Sequence, residues 1–107
     1  MEICCQALDK WTVLTVSGRV DAVTCSQLQK ALEQAIGDRS CNIALELAQV
    51  DYLSSAGLRV LLIANKAARG KGGKVALINP HAFVKEVLDI ANFTSLFTIV
   101  DNLECLG

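Results

Sequence analysis

Hydrophobic and polar positions alternate near the start of the chain and then change to a longer period. Trp11, Val13 and Thr15 fall on one face of an extended segment, with Thr12, Leu14 and Val16 on the other. That period of two predicts a strand over residues 11–16, and residues 2–7 predict another before it. Leu8-Asp9-Lys10 is short enough to join the two as a hairpin, and Ser17-Gly18-Arg19-Val20-Asp21 reads as a loop. Over residues 24–36, Leu28, Ala31, Leu32, Ala35 and Ile36 recur at the spacing of an amphipathic helix, which Gly37-Asp38 brings to an end. Residues 42–47 predict a mostly buried strand.

Ser54-Ser55 then leads into a helix over 56–69. Gly57, Leu61, Ala64 and Ala68 form one apolar row of it and Val60, Ile63 and Ala67 a second, which leaves Ser55, Arg59, Leu62, Lys66 and Arg69 on the outer stripe. Leu62, flanked by Arg59 and Lys66, is a candidate partner-facing patch. Gly70 and Lys71-Gly72-Gly73 close the helix before a strand over 74–78. Asn79-Pro80 predicts a third helix start, with asparagine capping and proline first, and Val84, Val87, Leu88 and Ala91 on one face. A last strand is expected within 93–100, then a tail over 101–107 with one helical turn. The order β-β-α-β-α-β-α-β implies an α/β fold, a single domain whose mixed sheet packs against helices.

Composition narrows the possibilities. The 107 residues suffice for one core and are 52% hydrophobic, so neither disulfides nor a metal is needed for folding. A net charge of −1 does not favour nucleic acid or an anionic membrane as partner. The longest apolar run, residues 60–64, is far short of a membrane span. The opening Met1-Glu2-Ile3-Cys4 has an acid where a signal peptide has basic residues, so a cytoplasmic location is expected. The five cysteines, Cys4, Cys5, Cys25, Cys41 and Cys105, show no framework spacing and are expected as free thiols acting mostly as small core hydrophobes. No cofactor is implied.

Candidate chemistry is sparse. Gly70-Lys71-Gly72-Gly73-Lys74 follows a helix and precedes a strand, the reverse of a phosphate-binding loop. His81, the single histidine, lies at a helix start, and there is no nucleophile-elbow motif. Asp21, Asp51 and Asp101 are scattered acids that make a weak metal set. No catalytic or metal-binding residue is assigned. What remains is Ser54-Ser55, two hydroxyls where a strand runs into a helix. One can cap the helix, and a phosphate on the other would meet the positive end of the helix dipole.

The stretch Tyr52-Leu53-Ser54-Ser55-Ala56-Gly57-Leu58-Arg59-Val60-Leu61-Leu62 resembles the signature of STAS-domain anti-sigma factor antagonists, and Gly18-Arg19-Val20-Asp21 resembles the loop before their first helix. The resemblance implies a non-enzymatic regulator that binds a serine protein kinase doubling as an anti-sigma factor. That kinase phosphorylates a serine at the start of the second helix, and a metal-dependent serine phosphatase reverses it. Better-known members read Asp-Ser-Ser-Gly-Leu or Asp-Ser-Thr-Gly-Leu. Matching on Gly57-Leu58 puts Ser54 in place of the aspartate, Ser55 at the acceptor and Ala56 at the hydroxyl residue after it. Ser55 is thus the expected acceptor, with Ser54 the alternative. Asp21, Ser54, Ser55, Ala56, Arg59, Leu62 and Lys66 are the expected partner-binding residues. A STAS scaffold or sensory domain that binds a protein or nucleotide without switching is the alternative function.

Overall fold

A computed structural model of the chain describes residues 1–8, 10–38, 42–92, 96–102 and 104. Its elements follow in the order β1 (Glu2–Leu8), β2 (Trp11–Val20), α1 (Cys25–Asp38), β3 (Asn42–Leu53), α2 (Ser55–Gly70), β4 (Lys74–Ile78), α3 (Ala82–Ile90) and β5 (Thr98–Val100). The strands form one sheet in the order β1-β2-β3-β4-β5. β1 and β2 pair antiparallel as a hairpin, and every later pairing is parallel. This is the mixed α/β arrangement that the pattern predicts.

Register explains the core. Leu14 lies beside Leu45, Leu45 beside Leu77 and Leu77 beside Ile99, so one row of large side chains crosses the sheet. The three leucines are fully buried beneath Leu28 and Leu32 of α1, Leu61 and Ala68 of α2, and Val84 and Leu88 of α3. One residue earlier in each strand, Val13, Ala44 and Ala76 form the matching row on the opposite face, with Trp11 and Ile78. Alternation of large and small residues thus separates a thick helix-covered face from a thin one.

Several boundaries depart from the sequence expectation. The expected loop over 17–21 is mostly strand: β2 continues to Val20, with Ser17 paired to Gln49 and Gly18 to Val50. Register shifts between Thr15 and Ser17 and between Gly18 and Arg19 break the alternation there, and Gly18 takes a φ of +103° that suits glycine. β3 likewise runs on to Leu53, and α1 continues past Gly37 to Asp38. The third helix does not begin at Asn79-Pro80. The Asn79 amide still donates to the Val100 carbonyl at the end of β5, and its φ is +48°, so the helix starts later, capped by His81, whose Nδ1 accepts from the Phe83 amide at 3.3 Å. The last strand is short and ends the 93–100 segment as expected, at Thr98–Val100; Leu96 precedes it, its carbonyl accepting from Asn65 of α2. Residues 93–95 and most of the tail lie outside the described residues.

The cysteines also differ from expectation. Cys4 and Cys5 are exposed because β1 is an edge strand beyond the helices' cover, and Cys25 is only partly buried. All three are free thiols; Cys41 and Cys105 are outside the described residues. Among the described residues, no helix is long and apolar enough to cross a membrane.

Candidate functional site

The carboxyl ends of β2 and β3 meet at one edge of the sheet. There the Ser54 amide donates to the Val20 carbonyl at 2.8 Å, tying the exit of β3 to the end of β2. Ser54 has extended backbone (φ −82°, ψ 170°) and is the N-cap of α2: its Oγ accepts from the Gly57 amide at 3.2 Å, and its carbonyl accepts from Leu58 at 2.9 Å. Gly57 is needed in this turn. A Cβ there would stand 2.7 Å from both Leu53 Cδ1 and Val20 Cγ1, so the missing side chain lets the helix start lie against the two strand ends.

Ser55 is the first helical residue and is exposed. Ser54's hydroxyl is committed to the cap, whereas that of Ser55 makes no hydrogen bond with any described residue. Ala56 is half-buried next to it.

Asp21 caps α1 in the same region. Its Oδ1 accepts from the Val23 and Thr24 amides, each at 3.0 Å, while the Thr24 hydroxyl accepts from the Asp21 amide at 2.9 Å and donates to the Arg19 carbonyl at 2.7 Å. The Thr24 amide holds the Asp21 carboxyl below the usual carboxylate range; desolvation opposes it, and the Val23 amide, the Thr24 hydroxyl and the nearby Arg19 guanidinium add to the lowering. Asp21 therefore stays ionised and fixes the turn.

Sequence reasoning missed the aromatic and apolar neighbours of this edge. Arg19 lies 4.2 Å over the Tyr52 ring, which stacks on Phe83 with centroids 6.2 Å apart. Phe83 is exposed, and Val23 is 83% exposed at the start of α1. Reading 17–21 as a loop hid the valine left in water beside a cap; the Tyr52–Phe83 contact joins distant elements and had no local signal.

The remaining expected residues spread along α2. Arg59 is exposed one turn after Ser55, while Lys66 is eleven positions on, about 16 Å along the axis. Leu62 is half-buried; the exposed branched residue of this helix is Ile63, 52% accessible, on the wall of a groove of about 260 Å³ between α1 and α2. Val60, Ile63 and Ala67 all line this groove, Val60 buried at its base and Ile63 and Ala67 exposed. Asp21, Asp51 and Asp101 do not gather into a three-ligand group. The glycine cluster closes α2 as expected: the Lys71 and Gly73 amides donate to the Ala68 carbonyl, and Gly72, at φ +86°, donates to that of Arg69.

A family model for the STAS domain matches residues 4–105. The chain belongs to the STAS family. Its relatives include a Bordetella bronchiseptica protein that bears the provisional name anti-sigma factor antagonist BtrV, 30% identical over 97% of this chain and 90% of that one. A Thermotoga maritima structure, described provisionally as an anti-sigma factor antagonist, superposes with a TM-score of 0.91 at 21% identity, covering 97% of this STAS chain and 90% of its own. The Bacillus cell fate determinant SpoIIAA in its phosphorylated form shares the fold at a TM-score of 0.76 and 15% identity, with 98% of this chain and 96% of the other covered. By homology, this STAS protein is in the anti-sigma factor antagonist family of regulatory binding proteins.

Proposed function

We propose that the whole chain works as one STAS domain, a cytoplasmic antagonist that binds a serine kinase acting as an anti-sigma factor and is released by phosphorylation of Ser55. The observation that carries this is the division of labour in the Ser54-Ser55 pair. Ser54 spends its hydroxyl on the cap, and Ser55 presents an exposed, unengaged hydroxyl on the next residue. Docking would centre on the sheet edge, where Asp21, Ser54, Ser55, Ala56 and Arg59 lie with Val23 and Phe83.

In the transfer step the Ser55 Oγ attacks the γ-phosphorus of ATP, the bond to the bridging oxygen breaks, ADP leaves and the hydroxyl proton is lost to a base on the kinase. A metal-dependent serine phosphatase adds water across the ester, returning serine and inorganic phosphate. The dianion adds roughly −1.5 to −2 charges where an apolar rim would pack, which opposes docking. Kinship to a protein named as an anti-sigma factor antagonist supports the reading.

Incubation with ATP and the host's cognate kinase should add the mass of one phosphoryl group. Ser55→Ala should abolish the addition and Ser54→Ala should not. The opposite pattern moves the acceptor to Ser54, and no addition to the parent protein leaves a non-switching scaffold.

A further inference from the structure

Arg59 occupies a particular place relative to Ser55. Both are on the exposed face of α2, four residues apart, with Ser55 at the helix start. Cβ atoms at that spacing are about 5–6 Å apart, and helical side chains lean toward the N-terminus, which carries the guanidinium back over Ser55.

Lys66, the next cation along α2, stands about 16 Å beyond Ser55, and three other cations are engaged elsewhere. Arg19 lies over Tyr52 and beside Asp21 at 3.8 Å, Arg69 reaches the Leu96 carbonyl, and Lys71 Nζ reaches the Ile36 carbonyl. Arg59 makes no ion pair, hydrogen bond or ring contact with any described residue, and the first turn of α2 holds no acid.

We propose that Arg59 is the built-in counter-charge of a phosphate on Ser55, an inference that rests on the Ser55 reading above. In the unmodified protein the guanidinium is open to a carboxylate on the partner. Once Ser55 is phosphorylated, the guanidinium pairs with the dianion within the same helix. One modification then removes both a small hydroxyl and an available cation from the docking surface.

The test uses protein carrying phosphoserine installed synthetically at position 55, titrated by ³¹P NMR at low ionic strength. In the parent, the second ionisation of the phosphate should lie below its ordinary value near ~6. Arg59→Gln should raise it by about 0.3 pH unit, and Arg59→Lys should restore most of the difference. Arg69→Gln on the same helix should leave it unchanged, and about 0.5 M salt should erase the Arg59 effect.

An Arg59→Gln curve that overlays the parent overturns the proposal. So does an equal rise in Arg69→Gln, which would show a diffuse field in place of a specific partner. Because the phosphate is installed without a kinase, the titration is independent of whether any kinase uses Ser55. A kinase that ignores Ser55 therefore sinks the switch alone, and overlaid curves sink the counter-charge alone.

Discussion

Two glycines of α2 show how a single residue position decides the sign of a substitution. Gly70, at the helix's last position, has open space where a Cβ would go, and Gly57 has two side chains 2.7 Å from that point. Alanine is intrinsically better in a helix than glycine by about 1 kcal/mol, so Gly70→Ala should be neutral or slightly stabilising. Gly57→Ala should reverse that gain and destabilise by roughly 1–3 kcal/mol through overpacking against Leu53 and Val20. Urea unfolding of both variants checks the contrast; equal midpoints would show that the helix start is not pressed against the strand ends. The importance of residue 57 was legible as a motif glycine, but the two side chains that require it come from other strands. Residue-level reading also chose Leu62 where Ile63 is the exposed one, because the groove between α1 and α2 depends on how two helices pack and not on the period of either.

Elements were legible in kind and less so in extent. A period of 3.6 found the helices and a period of two found β2, while β3 was legible as a mostly apolar run because it is covered on both faces. Boundaries failed where a tertiary tie overrode local preference. Gly18 looks like a loop residue, yet pairing with β3 keeps it in the strand through a bulge. Asn79-Pro80 looks like a helix start, yet the bond to Val100 holds Asn79 to the sheet and passes the capping role to His81.

The attachment of α2 likewise depends on a residue with no sequence signal. Asn65, 4% exposed, accepts from the Val75 amide of β4 at 3.2 Å and donates to the Leu96 carbonyl at 3.0 Å. Asn65→Ala should cost about 1–3 kcal/mol, because it leaves the buried Val75 amide without its partner and the Leu96 carbonyl with Arg69 alone at 3.5 Å. A loss below about 0.5 kcal/mol by urea unfolding would show that other groups take over the bonds.

At the scale of the molecule, the candidate site sits at the carboxyl edge of the parallel strands, where loops from β2, β3 and β4 converge and where open α/β sheets place their ligands. The site could be anticipated as far as Asp21 and the serine pair, through motif likeness. Its aromatic floor of Arg19, Tyr52 and Phe83 could not, because only the assembled sheet brings these residues together. The same placement predicts that modification changes the surface and leaves the fold intact. Phosphoserine at 55 should raise Tm by roughly 2–5 °C, as an anion at a helix N-terminus, with an unchanged far-UV spectrum. A fall in Tm would instead mean that the phosphate strains the cap.

The hydroxyl cap at Ser54 bears on the contrast between two signalling states. With a carboxylate in that place, the charge of Arg59 would be offset beforehand, and a phosphate would act on an edge already near neutral. Here the first turn of α2 carries no acid and Arg59 follows one turn later. Phosphorylation therefore inverts the local polarity, giving a wider gap between on and off from a single covalent mark. It also follows that a glutamate at 55, with a single negative charge, would bring the edge only to neutrality and act as an incomplete substitute for the phosphate.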